Sequence, residues 1–157
     1  MKKEKLKEAY EILRKKYNLP NFDDLNNEFE ISSIKKPSIE FLLRIIRRRI
    51  TDKLAMFCNI LQSLIMPNTG SAVNLHEIKF FTEDDRVKIE KLLSDMMYLE
   101  RKSLLLDINS EEKVEAEFLK TAMGYWPGFS LEMMRIVDKM SSGWKTEEKI
   151  DKTQYFG

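Results

Sequence analysis

Cysteine is nearly absent from this chain: Cys58 is the single one among 157 residues, which excludes an intrachain disulfide framework and fits a reducing compartment. In mid-helix, Cys58 reads as a small buried hydrophobe rather than a reactive thiolate. Histidine is as scarce. His76 stands beside Glu77, whereas a ferritin-like centre needs two Glu-x-x-His motifs and a zincin needs two histidines. No metal site is expected. Only five glycines occur, and none falls in a GxxxxGK[ST] or GxGxxG phosphate loop or a GxSxG elbow. Nucleotide-dependent and hydrolytic chemistry therefore lack their usual residues, and no cofactor is expected. Nowhere do about 18 uninterrupted apolar residues occur, and the N-terminus alternates charges where a secretory signal needs an apolar stretch. The chain reads as cytoplasmic, with no membrane partner.

What is present is charge and helical periodicity. The hydrophobic fraction of 43% is enough to bury a core, and the length suits one domain, expected over residues 1–143 with a loosely held tail at 144–157. Net charge is only +1, so nothing global calls for nucleic acid. Its distribution is uneven. Lys and Arg outnumber Asp and Glu by 14 to 9 over residues 1–53, and are outnumbered 7 to 12 over residues 54–117. Such asymmetry suits a first segment packed on the second, or a basic part facing a partner.

Leu6, Tyr10, Leu13 and Tyr17 recur at helical spacing, so residues 2–18 read as an amphipathic helix ended by Asn18-Leu19-Pro20. Asn21 is a natural N-cap for a short helix presenting Phe22, Leu25 and Phe29. The segment 31–36 reads as a loop. From Ser38 to Met66 neither Gly nor Pro interrupts, and Ile39, Leu42, Leu43, Ile46, Ile50, Leu54, Phe57, Leu61 and Leu64 form one stripe. Residues 71–81 are a short helix or an extended strip. Thr82 to Asp85 is a capping box with Asp in place of Glu, opening a helix to about Leu106 with Ile89, Leu92, Leu93, Met96, Met97, Leu99 and Leu104 on its stripe. A further helix with Val114, Phe118, Leu119 and Ala122 on its face ends at Gly124, and Trp126-Pro127-Gly128 reads as a turn before a last helix at 131–140. The fold class is all-α: about five or six helices in a bundle or array, with two long central antiparallel helices.

Three groups of residues carry candidate functions. Glu100 falls inside an apolar stripe, where an unpaired carboxylate is costly, so a structural ion pair with Arg49 or Lys53 is expected. Lys35, Lys36, Arg44, Arg47 and Arg48 form the densest basic cluster and are the candidates for phosphate-backbone contact. Met133, Met134, Met140, Trp126 and Trp144 concentrate large adaptable side chains in the C-terminal third, a composition suited to a protein interface. The leading reading is a non-enzymatic helical adaptor or assembly protein that binds another protein or itself. The alternative is an RNA- or DNA-associated accessory protein using the Arg44–Lys53 region, and the third is an enzyme with a cleft at Glu100.

Overall fold

The computed structural model describes residues 2–35 and 38–145, and among them there is no strand. Six α-helices follow one another: α1 (Lys2–Tyr17), α2 (Phe22–Phe29), α3 (Leu42–Ile65), α4 (Ala72–Glu77), α5 (Glu83–Ile108) and α6 (Glu112–Trp144). Short 3-10 turns lie at Ile31–Ser33, Ile39–Phe41 and Ile78–Phe80. This is the all-α class that the periodicity calls for, with α3 and α5 as a long antiparallel pair and α6, at 33 residues, longer than either. Arg47 reaches Asp107, while Thr51, one turn on in α3, meets Ser103, one turn back in α5.

Local chemistry sets the helix ends. Asn18 takes a left-handed φ of 54°, and the Leu19 N–H returns to the Arg14 carbonyl at 3.1 Å, closing α1. The Asn21 side chain accepts the Asp23 N–H at 2.9 Å and opens α2. Within residues 71–81 the chain is helical, α4 passing directly into the 3-10 turn Ile78–Phe80. Ser71 caps α4 by accepting the Asn74 N–H at 3.2 Å. The Asn74 amide then accepts from the Asn68 N–H and donates to the Ser63 carbonyl, which ties the preceding loop to the end of α3.

One expectation fails clearly. No turn separates Gly124 from Gly128; α6 runs through Pro127 without a break. Proline there removes the N–H that would bond the Met123 carbonyl, a local cost of about 3 kcal/mol. The apolar period outweighs it. Trp126, Phe129, Met133 and Ile136 continue the buried face of Phe118, Leu119 and Ala122, and burying each such side chain contributes roughly 1.5–3 kcal/mol. Neither glycine has a positive φ, so neither breaks the helix.

The chain divides into two compact units, Met1–Leu54 with Leu99–Trp126, and Ala55–Tyr98 with Pro127–Gly157. In the first, Leu6 and Tyr10 of α1, Phe22 and Leu25 of α2, and Ile46 and Ile50 of α3 are sealed with Leu119 and Ala122. The Tyr10 hydroxyl donates to the Pro20 carbonyl at 2.7 Å, so the one polar atom of this side chain is satisfied inside the core. Phe29 meets Trp126 edge-on at 4.7 Å between centroids. The charge asymmetry of the sequence is used within this unit, where Lys16, Arg47 and Arg48 meet Glu112, Glu115 and Asp107.

The second unit buries Phe57, Cys58, Leu61 and Leu64 of α3 with Phe81, Ile89, Met96, Phe129, Met133 and Ile136. A Cβ on Gly143 would lie 2.4 Å from the Phe80 ring, so only glycine allows this approach. Phe80 and Trp144 in turn enclose the buried His76 ring, at 5.2 and 4.9 Å. Ile39, Leu104 and Val114, assigned to stripes by period, are exposed. Ile39 falls in the 3-10 turn before α3, and in α5 it is Ser103 and Leu106 that face inward beside Leu104.

Candidate docking site

The N-terminal half of α5 and the C-terminal half of α6 enclose an open groove of about 650 Å³ in the second unit. Its apolar lining is Phe81, Val87, Ile89, Leu92 and Ile136. The capping box fixes one end. The Thr82 Oγ1 accepts the Asp85 N–H at 3.1 Å, and Asp85 Oδ2 accepts the Thr82 N–H at 2.8 Å. Lys139 of α6 donates to the same carboxylate, which ties the two walls together. Its hydrogen bond, seconded by the Thr82 backbone, pulls the Asp85 carboxyl down to about 2.

Charges along the rim are arranged in pairs. Lys91 binds Asp95 and Arg135 binds Glu132, both at 2.6 Å, and Lys139 binds Asp85. Lys88, which also lines the groove, has no ion-pair partner among the described residues. The groove is thus an apolar floor with a largely neutralised rim, suited to apolar side chains rather than to a highly charged ligand.

On another flank, α6 exposes a second apolar feature. Leu131, Met134 and Val137 are 51%, 69% and 43% exposed, one row at spacing of three residues. Among the residues singled out in the sequence, Met134 is therefore on the surface and Trp144 is half-exposed, its Nε1 donating to Glu77 at 3.1 Å. Met140 is half-buried. Met133 and Trp126 are core residues, which corrects the expectation that all five form one surface. The physical reason is the unbroken helix, which distributes these residues round its axis instead of gathering them on a turn. Trp126 belongs to the first unit, where its Nε1 donates to Glu28 at 3.0 Å. The residues of the tail from 146 on lie outside the described residues.

The expected ion pair also rearranges. Lys53 donates to the Glu28 carbonyl at 2.9 Å, with the Glu28 carboxylate at 3.6 Å, and lies over the Phe29 and Trp126 rings. Glu100 is instead 3.5 Å from Arg101, its neighbour in sequence, and is 25% exposed. Arg49 is exposed. Glu100 sits half-buried at the margin of the stripe and keeps a solvent-accessible edge, so its carboxylate does not require a cation from α3.

Among the described residues, the ion pair with both side chains buried joins Arg47 to Glu115. The Arg47 Nε donates to Glu115 at 2.6 Å, one terminal nitrogen to the Ser103 hydroxyl and carbonyl, and the other to Asp107 at 2.7 Å. Burial works against the guanidinium charge, but the bonds to Glu115 and Asp107 prevail and hold its pKa above the ordinary arginine value. The same bond from Arg47, with the fields of Arg48 and Arg44, lowers the Asp107 carboxyl. Ser110 completes the set by donating to the second Glu115 oxygen at 2.9 Å.

Arg47 is therefore withdrawn from the basic cluster, contrary to the phosphate-contact expectation. Arg48 keeps its side chain at the surface with Asp107 at 3.7 Å. Arg44 is half-buried, Lys35 is exposed, and Lys36 lies outside the described residues. Among the described residues no group of three or more His, Cys, Asp or Glu side chains is placed to hold a metal ion, and no helix is long and apolar enough to cross a membrane. Comparison with family models, with curated proteins and with solved structures yields no match.

Proposed function

We propose that this protein is a non-enzymatic helical adaptor that binds another protein through the second unit. The observation that carries the reading is the exposed row Leu131, Met134 and Val137 on α6, in the same unit as the apolar groove between α5 and α6. Exposed aliphatic and methionine side chains bury much area and adapt to a partner's shape, while paired rim charges lower the cost of desolvating the surroundings. Helix-in-groove recognition uses this kind of surface. Because Arg47 is committed to Glu115 and Asp107, the nucleic-acid alternative has lost the centre of its cluster. We place the adaptor in the cytoplasm, a reading that rests on the lone free Cys58.

The test compares wild type with Met134→Glu and Leu131→Glu in cross-linking followed by mass spectrometry from cell extract. Both variants alter exposed side chains, so helicity and melting should stay as in wild type. Loss of the same cross-linked proteins from both variants is expected; an unchanged set overturns the reading.

A further inference from the structure

The apolar row and the apolar groove lie on different flanks of one helix. At about 100° per residue, Leu131, Met134 and Val137 centre roughly 150° round α6 from Glu132, Arg135, Ile136 and Lys139, which line the groove. A molecule cannot fill its own groove with its own row. A neighbouring molecule can.

We propose that the occupant of the groove is the α6 row of a second copy of this chain, so that copies join head to tail. This rests on the docking reading above and names its partner. Charge decides in favour of self-association. Asp138, on the exposed face next to Met134 and Val137, has no ion-pair partner among the described residues, and neither does Lys88 at the groove. Every other charge lining the groove is already paired within it. The row thus brings one unpaired acid and the groove one unpaired base, and setting the row in the groove brings the two charged rims together. A chain with net charge +1 also opposes its own association only weakly. The row and the groove are different patches, so the contact is heterologous: each joined copy still offers a free row at one end and a free groove at the other.

The experiment uses the full chain in sedimentation and light scattering from about 10 to about 500 μM, the range in which a contact of micromolar to sub-millimolar affinity is populated. Wild type should rise in mean mass with concentration, beyond a dimer. Met134→Glu blocks the row, and Val87→Glu with Lys88→Glu blocks the groove; all three positions are exposed, and circular dichroism checks that each variant folds. Each variant alone should remain monomeric. Mixed in equal amounts they should form a species of two chains and no larger, because one intact row meets one intact groove. Wild type that is monomeric throughout overturns self-assembly, and the cross-linking comparison then shows separately whether the surface serves a different protein. Association of either folded variant as strong as wild type, or a mixture that stays monomeric while wild type associates, overturns the head-to-tail contact.

Discussion

Arg47 and Glu115 meet at 2.6 Å with both side chains closed to solvent, 0% and 2% exposed. An isolated charge in that place would be expensive, and each residue is there because the other is.

Removing one partner should therefore cost more than removing both. Arg47→Ala or Glu115→Ala is expected to lower stability by about 3–5 kcal/mol, whereas Arg47→Met combined with Glu115→Leu should be far milder. Urea denaturation of the three variants measures this. A double variant worse than either single one would show that the pair stabilises the fold beyond the cost of its own desolvation.

Acid should destabilise the protein through a short set of carboxylates. Asp85 lies near 2, held by Lys139, and Asp107 and Glu112 are lowered by Arg47 and by Tyr17 and Lys16. A folded-state value below the unfolded one gives stability that is present above the unfolded pKa of about 4 and is lost as pH falls through the folded value. The melting temperature should thus hold near pH 6 and drop between about pH 4 and pH 2. Asp107→Asn should lower stability at neutral pH and flatten the acid limb.

The unbroken course of α6 makes a third expectation. Pro127→Ala should raise stability by about 1–3 kcal/mol, because it restores an N–H to the Met123 carbonyl. Gly124→Ala and Gly128→Ala should each add about 0.5–1 kcal/mol, since a Cβ at either position meets nothing within 4 Å. A proline in a true turn would respond in the opposite direction. Thermal melts of the three variants decide.

His76 supplies the fourth. Its Nε2 is buried with no hydrogen-bond partner among the described residues, and its ring lies between Phe80 and Trp144. His76→Phe keeps the ring and removes the unsatisfied nitrogen, so stability should hold or rise by up to about 1 kcal/mol. His76→Ala should lose about 2–4 kcal/mol through the vacated volume. If Phe proves as damaging as Ala, the nitrogen is bonded in solution.

The periodicity was enough to read α1, α2, α3 and α5 from the residues, because each has a clear cap or breaker and one continuous stripe. It misled at Trp126-Pro127-Gly128, where turn chemistry conflicts with an apolar period that continues on both sides and wins. Arg47 and Glu115 were legible in part: Arg47 stands at helical spacing from Leu43, Ile50 and Leu54, and Glu115 from Phe118, Leu119 and Ala122. A charge on an apolar face announces a buried partner, but spacing within one helix does not say which residue of another helix supplies it. The same limit explains Glu100: spacing places it near Leu93, Met96 and Met97, but it does not show that the inward face passes to Ser103 and Leu106 and leaves Glu100 at the margin. Grooves are less legible still, since Lys88 and Ile136 come to line one groove only through packing.

The two tryptophans stand in different units and in different surroundings. Trp126 is 2% exposed against Phe29, and Trp144 is 40% exposed against His76. The molecule consequently carries one optical reporter for each unit: with Trp144→Phe the remaining emission follows the first unit, and with Trp126→Phe it follows the second. Their denaturation curves, recorded by fluorescence alone, tell whether the chain opens in one step or two.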